Sequence, residues 1–461
     1  MNFRLFFFAT ISALSLPAAL PEAQERAIAE IVETALSASG TPAASVAIVQ
    51  EGRVAYTRAF GKARVAPDSP ATPEMRFKIA SNSKQFVATA ILLLAEDGKL
   101  SLSDKVSKYL PELTRAGEIT IRQLLSHTSG YRDYYPLDYV APFMTRNTTA
   151  EDVLTKWAKI PLDFEPGTRW QYSNTNYIVA GRILEKVARV PLMDFLRARI
   201  LDKLGMRSAI DVATATWSGK EPAGYLRYAT GPLRAAPPET GNWTWAAGQL
   251  AMSASDLARW DISLIEGSLL KPASLRALTT EVQLAGGTGT HYALGLDVTA
   301  LPNGHRRWAH GGGLSGFVSY NITFPDDRMA ITVLTNCDAA PAAAIAQKLQ
   351  ELLLAPVADP QAAPSLERAK QLYEGLSEGR AEAALISSDL AAYFTPQAVA
   401  DFAAALKSAG APVSFTETSH QNRGGMMHRA YSVRTATRAF RISAFVEPDG
   451  RFSQFLISAA P

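Results

Sequence analysis

Strand-like segments lie near both ends of a long region of this 461-residue chain, and helical segments fill the interval between them. Residues 44–49 and 54–60 have the pattern of a hairpin, and residues 316–324 and 328–334 have the same pattern around a Pro-Asp-Asp turn. Strands at both ends with helices between them indicate one domain whose sheet joins the start and the finish of the region. This order predicts an α/β (α+β) fold, with a mixed sheet flanked by helices plus an all-helical lobe.

The composition favours a large folded core and excludes several classes of protein. Hydrophobic residues make up 47% of the chain and charged residues 19%, which is typical of a globular protein. The 46 Lys and Arg residues against 43 Asp and Glu leave a net charge of +3 without a basic run, so we expect no nucleic-acid binding. The single cysteine, Cys337, excludes an intrachain disulfide and a multi-cysteine metal site.

The start of the chain has the order of a secretory signal peptide. Arg4 gives a basic beginning, residues 5–16 are almost unbroken apolar, and small residues and prolines follow before the charged pair Glu25-Arg26. The apolar run is too short to span a bilayer, and no later run reaches about 18 residues. We therefore predict a signal peptide over residues 1–23 and a secreted or periplasmic protein without stable membrane insertion. The alternative is a buried N-terminal helix.

A proline-spaced segment at residues 356–364 is predicted to be a linker. Residues 24–355 before it form the large domain. Beyond it, residues 365–408 have a helical pattern and residues 413–459 have the pattern of an antiparallel meander, which predicts a small α+β domain at residues 365–461. This element order resembles cone-shaped folds of the nuclear-transport-factor-2 type, a likeness that carries no function by itself.

An S-x-x-K motif runs from Ser81 to Lys84, at the head of an apolar segment predicted to be helical over residues 82–95. Residues three apart share a helix face, so the Lys84 amine can lie beside the Ser81 hydroxyl. The helix N-terminus favours an alkoxide and an oxyanion, and an amine of lowered pKa can accept the serine proton. The alternative is a helix-capping serine beside a solvated lysine. A second copy at Ser268 is followed by a proline and no apolar helix.

Two further motifs follow along the chain. Tyr172 and Asn174 end a turn and lead into another apolar segment, where a phenol can relay a proton and an amide can orient the lysine or bind a substrate carbonyl. The run from His310 to Gly313 lies at a strand edge, where a backbone N–H can complete an oxyanion hole with that of Ser81. Taken separately, these motifs have other interpretations: a core tyrosine, a loop histidine and a flexible turn. The three motifs together, in this order, indicate a serine nucleophile.

The three motifs resemble those of the serine β-lactamase and penicillin-binding-protein superfamily: Ser81-x-x-Lys84, Tyr172-x-Asn174 and His310-x-Gly312. The most similar branch is class C-like, with D-stereospecific peptidases and esterases, and the resemblance covers about residues 24–352. It implies a β-lactamase-like fold and an acyl-enzyme mechanism with no metal or other cofactor. Ser81 would attack a small-molecule or peptide substrate, while Lys84 and Tyr172 move protons. The N–H groups of Ser81 and Gly313 would hold the oxyanion.

One departure from the family pattern concerns the third motif. Many members carry Lys-Thr-Gly there, where the cation anchors a substrate carboxylate, whereas this chain has His310-Gly311-Gly312. A histidine is mostly neutral near pH 7, since its unperturbed pKa is about 6.5. We therefore expect weak β-lactamase activity and a better fit to esters, amides or D-amino-acyl peptides. The alternative is a penicillin-binding or sensing protein that is acylated but turns over slowly.

Two other features complete the predictions. His127 lies in a Ser-His-Thr turn, and we interpret it as a structural residue. Five aromatic residues form either one wall of the pocket or ordinary loop packing: Tyr131, Tyr134, Tyr135, Tyr139 and Phe143. The sequence does not determine the physiological substrate, the role of the C-terminal domain or the oligomeric state.

Overall fold

A computed structural model describes residues 20–137, 139–214, 221–229, 231–237, 242–301, 304–338, 340–354, 359 and 361–460. Residues 1–19 of the predicted signal peptide and residues 356–358 and 360 of the predicted linker lie outside these residues. The chain divides into two compact units, one of residues 1–300 and 305–354 and the other of residues 301–304 and 355–461.

The described strands of the large unit are β1 (Ala43–Gln50), β2 (Arg53–Arg64), β3 (Ser69–Pro70), β4 (Phe77–Lys78), β5 (Ile210–Asp211), β6 (Tyr225–Leu226), β7 (Arg234–Ala235), β8 (Leu250–Met252), β9 (Asp297–Ala300), β10 (Arg306–Leu314), β11 (Phe317–Phe324) and β12 (Met329–Thr335). Its described helices are α1 (Glu22–Ser39), α2 (Ser83–Glu96), α3 (Ile121–Leu125), α4 (Ala150–Val153), α5 (Asn174–Ala188), α6 (Leu192–Leu196), α7 (Trp245–Gly248), α8 (Ala254–Glu266), α9 (Pro272–Thr279) and α10 (Ala342–Leu353). Short 3-10 turns cover Ala80–Asn82, Val106–Lys108 and Pro142–Thr145, and π-helical turns cover Leu154–Ala158 and Arg197–Leu201.

The main sheet has the order β3-β2-β1-β12-β11-β10-β9 among the described strands. Ala44 of β1 lies opposite Thr335 of β12, so the expected sheet between the start and the finish of the region is present. The expectation of a mixed sheet is wrong in strand direction, because every neighbouring pair is antiparallel. The reason is local: short turns join β1 to β2 and the strands β10, β11 and β12 in succession, and such turns reverse the chain.

The predicted all-helical lobe corresponds to the helices α3 to α7 and α9, but short strands interrupt it, and α8 packs on β1 and β12 of the main sheet instead. Strand β8 pairs with both β4 and β5, and β6 pairs with β7. Helix α2 connects this region to the sheet and is buried from Ser83 to Leu94. A helix that is apolar on all sides is stable only inside a core. Two hydrogen bonds hold the start of α2 and the segment before it, from the Leu250 N–H to the Ser83 hydroxyl and from the Ile79 N–H to the Leu250 carbonyl.

The small unit contains α11 (Ala362–Ser377), α12 (Ser388–Tyr393), α13 (Pro396–Ala409), β13 (Pro412–Arg423), β14 (Met426–Thr435), β15 (Ala439–Val446) and β16 (Phe452–Ala459), with a 3-10 turn at Ala383–Leu385. The four strands form an antiparallel meander in chain order, so the α+β class is confirmed. Helix α11 begins earlier than predicted, because Pro364 lies in its first turn, where a missing N–H costs nothing. The likeness to a cone-shaped fold stays a prediction.

In the described part of the chain, no helix has both the length and the apolar character that a membrane crossing requires.

Candidate active site

The residues of the S-x-x-K motif lie side by side. Ser81 belongs to the 3-10 turn that precedes α2, and Lys84 lies in the first turn of that helix. The Lys84 Nζ donates hydrogen bonds to Ser81 Oγ at 3.0 Å, to Asn174 Oδ1 at 2.8 Å and to the carbonyl oxygen of Ala247 at 2.7 Å. The three acceptors fix the amine against the serine, so the first two motifs meet as the sequence predicts.

The burial of Lys84 makes it a candidate base. Its side chain is inaccessible to solvent, and this desolvation lowers its pKa to about 7, while the negative charge of Asp133 acts in the opposite direction. A lysine with this pKa is partly uncharged near neutral pH. The uncharged amine can accept the proton of Ser81 as the serine oxygen attacks a carbonyl carbon.

Tyr172 lies beside the same pair of residues. Its ring centroid is 4.9 Å from the Lys84 Nζ, and its hydroxyl takes part in a hydrogen bond with Ser81. Burial raises the pKa of Tyr172 far above its ordinary value, and the bond with Ser81 opposes this shift only in part. The phenol therefore keeps its proton at neutral pH, which makes Lys84 the base of the pair and Tyr172 a proton donor.

Asn174 is the first residue of α5, and its amide is oriented at both ends. The oxygen accepts the bond from Lys84, and the Nδ2 group donates to Asp133 Oδ2 at 3.3 Å and to the carbonyl of Tyr135 at 3.4 Å. The backbone N–H of Asn174 also donates to Asp133 Oδ1 at 2.9 Å. Asp133 therefore determines how the amide faces the lysine.

His127 supports the segment that carries Tyr172. Its Nδ1 accepts a hydrogen bond from the N–H of Ser173 at 3.1 Å, and its ring stacks on the Tyr172 ring with 4.3 Å between centroids. Burial holds the pKa of His127 well below its ordinary value, so the ring is neutral. These contacts agree with the structural interpretation of this residue.

His310 lies behind the cleft wall, and this position corrects the predicted contact with substrate. Its Nδ1 donates to the carbonyl of Gly311 at 2.5 Å, and its Nε2 accepts from the Tyr292 hydroxyl at 2.9 Å. Burial, together with the nearby Lys84 charge, lowers the pKa of His310 to about 3. The ring is therefore neutral, and its two nitrogens are occupied by protein groups.

The two glycines after His310 have different surroundings. A Cβ atom on Gly312 would collide with the carbonyl oxygen of Ile79 and the hydroxyl of Ser319. Gly312 therefore lets β10 approach the segment before Ser81, in place of the predicted contact with substrate. For Gly313, no described atom lies within 4 Å of the corresponding point, and the residue lines the cleft. Its role in the oxyanion hole stays a prediction.

A cleft of about 1030 Å³ opens in front of these residues. Its described lining includes Ser81, Tyr172, Asn174, Gly313 and Asp133. Of the predicted aromatic cluster, three members contribute to the wall: Tyr134, Tyr135 and Tyr139. The other two pack elsewhere: Tyr131 is buried with its hydroxyl on the carbonyl of Thr114, and Phe143 packs on Trp157 and Trp243.

Sequence reasoning missed three groups of the site. Asp133 contacts Asn174, Ala247 offers its carbonyl to Lys84, and Tyr292 holds His310. Neither a backbone carbonyl nor a lone loop residue leaves a pattern in the sequence.

A serine on an open cleft, a buried lysine at hydrogen-bond distance and a neighbouring phenol define a serine hydrolase of the β-lactamase type. The model of the Beta-lactamase family matches residues 26–355, and the chain belongs to that family. The match covers more than half of the chain and confirms the resemblance drawn from the motifs.

Individual relatives agree with this assignment. The chain is 28% identical over 306 residues to Penicillin-binding protein 4* of Bacillus subtilis, covering 63% of this chain and 67% of the relative. It is 29% identical over 324 residues to Protein flp of Staphylococcus aureus, covering 68% of this chain but only 63% of that protein. The crystal structure of a D-stereospecific amidohydrolase from Streptomyces sp. is similar at a TM-score of 0.61 and 28% identity, covering 72% of this chain and 99% of that one. The β-lactamase-like fold is thus confirmed.

Proposed function

We propose that this protein is a secreted or periplasmic hydrolase that forms an acyl-enzyme at Ser81 and acts on ester, amide or D-amino-acyl peptide substrates. The observation that carries the proposal is the 3.0 Å between Lys84 Nζ and Ser81 Oγ at the wall of an open cleft. The signal-peptide pattern of the first 23 residues supports the location outside the cytoplasm. The D-stereospecific amidohydrolase among the similar structures supports the amide branch.

The acylation step follows from the positions of the three side chains. The uncharged Lys84 amine accepts the proton of Ser81 while Oγ bonds to the substrate carbonyl carbon. The N–H groups of Ser81 and Gly313 hold the oxygen that becomes negative. As the bond to the leaving group breaks, the phenol of Tyr172 protonates that group and regains a proton from the Lys84 ammonium.

Deacylation reverses these roles with water as the nucleophile. Water attacks the ester carbon and loses a proton to the uncharged Lys84 amine. The bond between Ser81 Oγ and the acyl carbon then breaks, and the proton returns to the serine. The enzyme is restored and the acid is released.

Weak β-lactamase activity follows from the charges around the cleft. Penicillins and cephalosporins carry a carboxylate, and the described lining of the cleft contains neither Lys nor Arg. His310 occupies the position where many relatives place a cation, but it is neutral and buried. A carboxylate in the cleft therefore lacks a described cationic partner, whereas a neutral ester or amide does not need one.

The test is covalent labelling followed by turnover. Wild type, Ser81→Ala and Ser268→Ala are incubated with a fluorophosphonate and a fluorescent penicillin, and release of each adduct is followed over time. We expect labelling of wild type and of Ser268→Ala, which alters the second, exposed S-x-x-K copy, and none of Ser81→Ala. Steady-state rates with a p-nitrophenyl ester and a cephalosporin then compare substrates.

Two results would contradict the proposal. A penicillin adduct that persists, without turnover of any ester or amide, would make the protein a penicillin-binding or sensing protein. Efficient turnover of the cephalosporin alone would make it a β-lactamase.

A further inference from the structure

We propose that one face of the sheet in the small unit binds a polysaccharide that carries carboxylate groups along its length. The inference goes beyond the proposed hydrolase, because it concerns β13 to β16 and not the cleft at Ser81. It is carried by the distribution of charge over the sheet, by the distance that the charges span and by the side chains between them.

The two faces of this sheet differ in character. Residues directly opposite each other on neighbouring strands point to the same side. Tyr431 of β14 and Ile442 of β15 are opposite each other and belong to the apolar core of the unit. The outer face, on the other side, consists of every second residue of β14 from Met426 to Arg434 and of the residues in register with them across the sheet. None of these residues is an Asp or a Glu.

Three arginines of the outer face are available to an anion. Arg423, Arg434 and Arg441 are exposed, and none of them has an ion pair with a described residue. Arg423 instead lies over the Phe445 ring, 5.9 Å from its centroid. An arginine on this face can therefore direct its guanidinium to a carboxylate, which it binds through two parallel hydrogen bonds.

Other cations neutralise the acidic residues of the same segment. Between residues 412 and 461 the acidic residues are Glu417, Glu447 and Asp449. Glu417 accepts hydrogen bonds from Arg429 at 2.9 and 3.0 Å, and Arg451 binds both Glu447 and Asp449. The positive charge of the outer face is thus not cancelled by these carboxylates, and such a surface attracts polyanions.

The three charges lie at both ends of the outer face. Arg441 is opposite Ser432, two residues from Arg434, which puts the Cβ atoms of the two arginines about 7–8 Å apart. Arg423 is opposite Met426, eight residues from Arg434, which corresponds to about 27 Å at about 3.4 Å per residue. A small anion reaches one end of such a face, whereas a polymer with repeated anionic groups reaches both.

Polar groups suited to sugar hydroxyls lie between the charges. Ser443 Oγ is 3.0 Å from His428 Nε2 and accepts a hydrogen bond from Gln454 Nε2 at 3.1 Å. Hydroxyl and amide groups donate and accept hydrogen bonds, as sugar hydroxyls do. Of the described residues of the outer face, Leu456 at 41% is the one large apolar residue that is exposed. Protein interfaces are enriched in aromatic residues and membrane-bound surfaces bury apolar ones, so a carbohydrate fits this face better.

The experiment measures binding to immobilised polygalacturonate, a polysaccharide with a carboxylate on each sugar, by biolayer interferometry. The comparison surfaces are dextran, which carries no charge, duplex DNA and vesicles of phosphatidylglycerol. Every protein is the full chain with Ser81→Ala, so that hydrolysis does not change the surface.

Two triple variants with the same net charge are compared with this parent. The first replaces the arginines of the outer face: Arg423→Gln, Arg434→Gln and Arg441→Gln. The second, the matched control, replaces three cations of the helical part of the unit: Lys370→Gln, Arg380→Gln and Lys407→Gln. Lys370 lies in α11, Arg380 follows that helix, and Lys407 lies in α13.

We expect the parent to bind polygalacturonate more strongly than dextran, DNA or the vesicles, and the binding to weaken as the salt concentration is raised. The outer-face variant should raise the Kd by about tenfold or more, since three exposed ion pairs together have this strength, and the control should stay within about twofold. Urea unfolding checks the fold of each protein. If the triple variant does not fold, Arg434→Gln and Arg441→Gln alone should each raise the Kd by about threefold.

The inference is overturned if polygalacturonate does not bind, if the outer-face variants keep their affinity, or if the control loses as much affinity as they do. It is also overturned if DNA binds as strongly as polygalacturonate, which would show a surface for any polyanion, or if the vesicles do, which would show a membrane-binding surface. Because every protein lacks the Ser81 hydroxyl, these results are independent of whether the proposed hydrolase is labelled at Ser81.

Discussion

Gly312 of β10 lies directly against the carbonyl oxygen of Ile79, with no room between them for a side chain. This contact joins the edge of the third motif to the segment that carries Ser81. The distance between the two elements therefore depends on the absence of a single methyl group.

Replacing Gly312 by alanine should lower the free energy of unfolding by about 1–3 kcal/mol, the usual cost of forcing extra volume into a packed site. The same change should slow fluorophosphonate labelling, because the displaced segment carries the nucleophile. Urea unfolding and labelling rates measure the two effects. Gly311→Ala is the control, since its Cβ would meet the Tyr320 ring at an ordinary 3.4 Å. Equal stability of the two variants would contradict this account.

The activity should depend on pH through Lys84. Its pKa is about 7, and only the uncharged amine accepts the serine proton, so kcat/KM for a p-nitrophenyl ester should rise with pH around a midpoint near 7. Lys84→Met should reduce kcat/KM by about 10²–10⁴-fold, because the base is lost. Lys99→Met, at an exposed lysine, should behave as wild type. A flat profile between pH 5 and 9 in wild type would show that another group is the base.

The midpoint of that profile should move when Asp133 is neutralised. The Asp133 carboxylate favours the charged form of Lys84, so Asp133→Asn should lower the pKa of the amine and shift the rise of kcat/KM toward lower pH. The asparagine keeps an oxygen for the N–H of Asn174. A full pH profile with a p-nitrophenyl ester measures the shift. Asp163→Asn is the control, because Asp163 binds Arg132 and Gln171 and does not line the cleft. A shift toward higher pH would contradict the electrostatic argument.

Asp261 should make stability depend on pH. It is fully buried, it accepts hydrogen bonds from Asn321 and Thr323, and burial raises its pKa to about 8. Since the folded-state pKa exceeds the unfolded value of about 3.9, its contribution to stability is complete below pH 4 and is lost as the pH rises toward 8. The free energy of unfolding of Asp261→Asn should therefore rise relative to that of wild type by about 3–4 kcal/mol between pH 5 and pH 8.

Urea unfolding of both proteins at the two pH values measures this difference. Any loss of packing in the asparagine variant is the same at both values and cancels. An unchanged difference would show that Asp261 stays ionised in the folded protein.

Local patterns in the sequence were sufficient for helix α2 and for the central pair of the site. The apolar run after Ser81 predicted α2 to within a residue at each end, and the three-residue spacing predicted the contact with Lys84. Both depend on neighbours in the chain, which a sequence displays directly.

Contacts between distant segments could not be predicted in this way. Asp133 and Asn174 lie 41 positions apart, and their contact depends on how the loop after α3 packs on the start of α5. The position of His310 could not be predicted for the same reason. Its hydrogen bond with the Tyr292 hydroxyl depends on the pairing of β9 with β10. The sequence therefore predicted a histidine at the substrate, whereas the fold places it in the interior.

The central position of β1 in the sheet has a consequence for how the protein is made. Ala44 of β1 needs Thr335 of β12 as a partner, so during synthesis the first strands wait until nearly three hundred further residues have left the ribosome. Pairings between such distant segments form slowly. A nascent chain of this kind therefore exposes one edge of β1 until the last strand of the sheet has been made.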